Sequence, residues 1–341
     1  MIINKYILVF LLLSLSIIAK AETTDSITHR FNLGLEYTGE LQSDFGKGIN
    51  FLNHLRLDAS LNVSNNFSID ISTISVAKTR ENLINDQQAF SNIETEDNIP
   101  LTLAVAGVSY TMPTEKGTHT LFAGLRNTGE DYFASDMSSF FINSSCGIFP
   151  TISANFPIAT FPCSAMSLHY SFDSEHWGAK ATIYNGEGNY RFSGRNNMFR
   201  ICPQSDGIFA MAQGEYKTGG SSYFLGGSLY KHSPTLWTYA EQKIFQRATS
   251  DLSIIAAYSH CLDRDTDCRN FAGIGALMSI RDIEIGVFTD YADYQESDEY
   301  ATELSVSIPL CKYAYIKPSL HYIKGNGLND LVSLLRFGIV L

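Results

Sequence analysis

Along most of the chain, apolar and polar residues alternate one by one over stretches of about ten residues, each closed by turn-forming residues. This is the period-two pattern of strands with one oily and one wet face. Between 54 and 63, Leu55, Leu57, Ala59, Leu61 and Val63 share one face, while His54, Arg56, Asp58, Ser60 and Asn62 share the other. Helical periodicity is scarce. The pattern predicts sixteen strands, near 30–41, 51–63, 66–78, 101–111, 119–127, 166–173, 177–185, 207–217, 221–232, 236–246, 251–260, 270–279, 282–291, 300–308, 313–323 and 331–341. An even number is what a bacterial single-chain outer-membrane barrel requires.

The connections sort by length. Those after even-numbered strands are mostly short, as at Ser64-Asn65, 174–176, Thr218-Gly219-Gly220 and Arg281. Those after odd-numbered strands are mostly long (79–100, 128–165, 186–206, 292–299), with 233–235 the exception. Short turns on one rim and long loops on the other is the organisation of a transmembrane antiparallel β-barrel, and a soluble sandwich has no reason for it. Strand parity agrees. Arg56, Asp58, Arg126, His169, Lys180, Glu215, Glu241, Lys243, Asp282, Glu284, Glu303, Lys317 and Arg336 fall on the wet face. Leu121/Ala123/Leu125, Ile283/Ile285/Val287 and Leu335/Phe337/Ile339 fall on the oily one. A charged lining is costly in a dry core but natural around a water-filled channel. Tyr37, Tyr110, Trp177, Tyr216, Trp237, Tyr239, Tyr258, Tyr300 and Tyr322, near predicted strand ends, suit interfacial girdles.

Composition narrows the class further. Charged residues are only 17% of the 341, aromatic residues reach 12%, and 24 Lys+Arg against 35 Asp+Glu leave a formal charge of −11. Such acidity argues against nucleic acid as a partner. Residues 1–21 read as a signal peptide: Lys5 supplies the positive region, 7–18 are apolar, and Ala19-Lys20-Ala21 is a small-x-small cleavage site. Residues 22–341 are then expected to be one barrel domain. No later stretch approaches the ~20 apolar residues of a membrane-spanning helix.

The longest connection carries the most distinctive sequence: Leu125-Arg126-Asn127-Thr128-Gly129-Glu130-Asp131-Tyr132-Phe133-Ala134-Ser135-Asp136, then Phe140-Phe141-Ile142-Asn143-Ser144-Ser145-Cys146-Gly147, then Thr160-Phe161-Pro162. This resembles the carbohydrate-selective porin (OprB) family, in which a strand ending in arginine runs into an acidic, aromatic segment and an FLNSSFG-like stretch. Further likeness lies at 228–232, at Glu241-Gln242-Lys243-Ile244-Phe245, at Glu303 and at 317–323, in family order. Cys146 stands where that family usually has an aromatic residue. The resemblance implies a sixteen-stranded channel for carbohydrates and other small hydrophilic solutes in the bacterial outer membrane, narrowed by this loop folding inward. By the same analogy a homotrimer is expected, although no sequence face declares a subunit contact. A non-specific porin and an outer-membrane hydrolase are the alternatives, the latter needing one of His54, His169 or His321 beside a nucleophile.

A sugar channel needs hydroxyl-bonding groups and ring faces rather than catalysis. Arg126, Glu130, Asp131, Tyr132, Asp136 and Asn143 supply these within one loop, with Glu241 and Glu303 as further lining candidates. A simpler role for Arg126, not exclusive of this one, is to pair with Asp131 or Asp136 and pin the loop. Arg191, Arg195 and Arg200 form a basic cluster best read as solvated. Of the six cysteines, Cys261 and Cys268 share one short loop and are the disulfide candidates. No Cys-x-x-Cys, HExxH or phosphate-loop spacing occurs, so no cofactor or metal is expected.

Overall fold

The computed structural model describes residues 30–46, 48–325 and 327–341; the signal segment lies outside them. The described residues form a closed sixteen-stranded antiparallel β-barrel, each strand paired with its sequence neighbours and the last with the first. The strands are β1 (Phe31–Ser43), β2 (Ile49–Asn62), β3 (Phe67–Lys78), β4 (Ile99–Thr114), β5 (Gly117–Arg126), β6 (Ala165–Asp173), β7 (Trp177–Asn185), β8 (Ile208–Thr218), β9 (Ser221–Tyr230), β10 (Ser233–Arg247), β11 (Ser250–Cys261), β12 (Cys268–Ile280), β13 (Ile283–Tyr294), β14 (Glu299–Cys311), β15 (Ala314–Gly325) and β16 (Leu328–Val340). Closure runs from the pair Glu36/Val340 to Ser43/Ser333, leaving no open sheet edge.

Parity along the strands decides the two faces. Leu168, Ile183, Leu225, Ile274, Val287, Leu304 and Leu335 stand exposed around the outside. A continuous apolar band of this kind is untenable in water and matches the hydrocarbon layer of an outer membrane. Exposed rings flank it. Tyr110, Trp177, Tyr216 and Tyr223 belong to the short-turn ends of their strands, and Tyr258, Tyr300 and Tyr322 to the long-loop ends.

Two expectations about side-chain direction and one about exposure are corrected. Trp237 and Tyr239 are not girdle residues but buried inside the barrel, because they share the parity of Glu241 and Lys243. Leu125 is fully buried at the rim, where Ser164 bridges to Asn189 and its hydroxyl donates to the carbonyls of Leu103 and Ala104. Asp282 lies exposed in the turn between β12 and β13.

The rim of short turns is as expected. At Gly219-Gly220 both φ angles are positive, +56° and +76°, the conformation a two-residue hairpin with right-handed strand twist demands. On the opposite rim, the long connections 79–98, 127–164 and 186–207 cluster between β3 and β8. From β9 onward that rim is tighter, its longest connections being 262–267 between β11 and β12 and 295–298 between β13 and β14. Two of the three long loops turn into the lumen, so the molecule's packed core lies inside the barrel.

Candidate functional site: a lumen narrowed by two loops

The loop 127–164 is a string of 3-10 turns (Thr128–Glu130, Ser138–Phe140, Ser144–Cys146) followed by one helical turn, Pro150–Ser153. Its rings cannot stay in water, and the wall from β7 to β13 offers them an aromatic surface. Phe133 packs 4.6 Å from Phe149 and 5.2 Å from Trp237; Phe149 stacks on Phe271 at 4.9 Å; Phe141 meets Phe288 at 5.3 Å; Phe156 meets Tyr230 at 5.3 Å. Tyr239 and Phe224 lie nearly parallel at 4.0 Å beneath them. Each ring buried contributes about 1.5–3 kcal/mol, enough together to hold the loop in one place. Gly286 completes the fit: a Cβ there would come within 2.4 Å of the Phe140 ring.

Charged wall residues then bracket the loop's backbone. Arg126 makes two hydrogen bonds of 2.5 Å to Asp131, and Lys180 donates to the Asp131 carbonyl at 2.7 Å. Arg56 on β2 holds Glu130 at 2.6 and 3.0 Å while also reaching Asp58. Glu241 accepts from the Met137 and Ser138 N–H groups at 3.1 and 3.3 Å and from the Ser135 hydroxyl. Glu303 accepts from the Ile142 and Asn143 N–H groups at 2.9 Å. The Asn143 amide donates to Asp290 at 3.1 Å, and Lys317 donates to the Phe140 carbonyl at 2.5 Å from above that ring. Tyr132 is buried, its hydroxyl 2.9 Å from Thr182 and donating to the Met211 carbonyl at 3.1 Å; burial pushes its pKa up.

The residues expected from sequence to meet solute are thus brought together but divided. Asp131, Tyr132, Asn143, Glu241 and Glu303 are buried in the seam between loop and wall, Arg126 and Glu130 lie half-buried at its edge, and Asp136 is open to the lumen. Of the histidines, His169 lies 2.7 Å from Thr182 and 3.5 Å from Asp131, His54 edges onto Phe161, and His321 edges onto Phe90. Below the loop, on the short-turn side, opens a cavity of about 540 Å³. Asp136 and Ser139 face it from the loop, and Lys243, Asp251, Ser253, Ser279 and Glu284 from the wall; the Lys243–Asp251 pair spans 3.6 Å.

A second loop, 79–98, also leaves the rim and turns inward rather than standing in water. Ile84, Phe90 and Ile93 are buried instead, the first two packing with Ile323, Val332 and Leu334, which point inward from β15 and β16. Apolar residues on the wet face of those strands are the sequence signal for this docking. The two loops interlock: Asn92 N–H donates to the Ile142 carbonyl at 2.8 Å, and Ser144 N–H to the Ala89 carbonyl at 3.0 Å. The third long loop remains outside, with 191–196 exposed and Arg200 paired to Asp206 at 2.8 Å.

All six cysteines are free thiols. The disulfide expected between Cys261 and Cys268 is not formed. A bulge after Cys268 aligns it with Tyr294, and the β11–β12 ladder ends at His260/Asn270, so the two cysteines do not face each other across the strands. Cys146 is buried near Glu303 and Asp290, and burial raises its thiol pKa well above the ordinary value.

This geometry defines a porin-type outer-membrane barrel, a sixteen-stranded wall with a loop folded to mid-height. Among solved structures, the chain is similar to the high-pH structure of OprB from Pseudomonas putida, with a TM-score of 0.76 at 14% identity, over 92% of this chain and 94% of that one. A mutant of the Rh. blastica porin matches with a TM-score of 0.59 at 6% identity, over 91% and 100% of the two chains. A loop-deleted OmpT, an outer-membrane protein of Vibrio cholerae, matches at 0.57 and 11% identity, over 91% and 99%. No family model matches the sequence, and no curated protein does. The shared fold is the one the loop motif implied.

Proposed function

We propose that this protein is an OprB-type porin whose lumen passes carbohydrates and other small hydrophilic solutes across the outer membrane. The observation that carries the reading is the cavity beneath the loop. Its lining of serine hydroxyls, carboxylates and one lysine, beside the apolar Met137 and Leu277, offers hydroxyl-bonding partners and a surface for sugar C–H groups. Four acids (Asp136, Glu241, Asp251, Glu284) against Lys243 make that compartment favour neutral and cationic solutes over anions. Outer-membrane lipid is the partner of the outer face, residues 1–21 are the signal peptide, and the assembly is a homotrimer. Swelling of proteoliposomes in sugars of graded size tests the channel. Entry of pentoses and hexoses with exclusion of larger oligosaccharides supports it, and no swelling with any sugar by the folded protein overturns it.

A further inference from the structure

The loop 79–98 docks on the wall through acids that have no cation to meet. Glu299, at the start of β14, accepts from the Gln87 and Gln88 N–H groups at 2.9 Å each. Asp86 accepts from the Phe90 N–H at 2.7 Å, and Asp290 on β13 lies close behind. Glu94, near the other end of the loop, has a buried oxygen without a hydrogen-bond partner and faces Asp86 and Glu40. Among the described residues, none of Asp86, Glu94, Asp290 and Glu299 has an Arg, Lys or His partner within 4 Å. The nearby cations are engaged elsewhere: Arg336 with Glu40 and Asn92, and Lys78 with Asn82 and the Thr95 carbonyl.

We infer that loop 79–98 is a pH-responsive gate, docked in the lumen when its acids are protonated and released when they ionise. Like charges this close cannot all ionise in a half-dry seam without driving the loop off the wall. The directions agree. Burial first, then Glu299, raises Asp86 to about 7, and burial first, then Asp86 and Glu40, raises Glu94 to about 8, with Lys78 opposing. The docked loop therefore holds protons more tightly than the free loop. Docking is strongest below about pH 4, weakens as pH rises, and is weakest above about 8, once both acids have ionised. The apolar anchors Ile84, Phe90 and Ile93 are few enough for such a change to move the loop, whereas loop 127–164 stays put on its aromatic bed.

The inference rests on the channel reading for its consequence but not for its test. Hydrogen exchange of the detergent-solubilised protein, corrected for intrinsic rates, reads docking directly. Protection in 79–98 is expected to fall at least about tenfold between pH 5.5 and 8.5, with 127–164 and the strands unchanged. Asp86→Asn with Glu94→Gln should keep the loop protected across that range, and Asp86→Asn alone serves if the pair impairs folding. Unchanged protection in the wild type, or equal loss in the folded variant, overturns the gate. Conductance in planar bilayers should rise over the same range. A protein that conducts nothing while its loop still undocks would sink the channel reading and leave the gate standing.

Discussion

The two inward loops occupy one lumen and touch each other, yet they are held by different physics. Loop 127–164 brings five rings (Phe133, Phe140, Phe141, Phe149, Phe156) to a wall of rings, and the acids that lead it into the lumen are neutralised: Glu130 by Arg56, Asp131 by Arg126. Loop 79–98 has three apolar anchors and gathers carboxylates against carboxylates. Apolar burial does not respond to pH, while buried acids without cations do. Glu241, Glu303 and Asp290 also hold the first loop without an ion pair of their own, but its bed of rings carries it, so the first loop is the fixed constriction and the second the conditional one.

The largest effect that would sharpen the contrast is removal of the fixed loop. Deleting 137–160 should raise single-channel conductance severalfold and erase any sugar block; unchanged conductance from a folded deletion mutant would place the loop outside the pathway. Next comes its aromatic bed. Phe141→Ala or Phe149→Ala leaves a cavity among packed rings and should cost about 3–5 kcal/mol of docking. Hydrogen exchange should then show 127–164 loosened, and a response confined to 79–98 would break the distinction. Arg126→Ala is smaller. It leaves Asp131 buried without its strongest partner, costing about 2–3 kcal/mol, and removes positive charge from the lumen edge, so the reversal potential should shift toward cations. Smallest in energy is a test of exposure: proteinase K on intact cells at pH 6, where 79–98 is docked, should cut within 191–196 and spare 84–95, and a tag inserted at Gly219-Gly220 should stay hidden. Surface labelling of that tag would reverse the barrel's orientation.

Much of this was legible from the chain alone. A period of two assigns every second residue to lipid, and lipid tolerates no error, so all sixteen strands were readable, most within two or three residues at each end. The inward turn of 127–164 was readable as well, since six phenylalanine and four isoleucine side chains in one connection must find cover. Loop 79–98 carries only scattered apolar residues, and its docking was written partly on distant strands, as Val332 and Leu334 on a face that should be wet. Trp237 and Tyr239 were misplaced for a related reason: aromatic residues near strand ends suit a girdle, and their parity with Glu241, which places them inside, was the better guide.

What the sequence could not settle was which lumen charges remain free. Arg126, Asp131, Glu241 and Glu303 look alike in a strand pattern, as polar residues facing water. Whether Glu241 or Glu303 meets solute or a loop's backbone depends on where residues about 100 to 160 positions away come to rest. By itself the sequence determined the barrel, because strand alternation is a local property imposed by the membrane. Only the tertiary structure decided that most of the candidate lining residues hold loops in place, because a carboxylate satisfied by two backbone N–H groups is defined by contacts that no local pattern records.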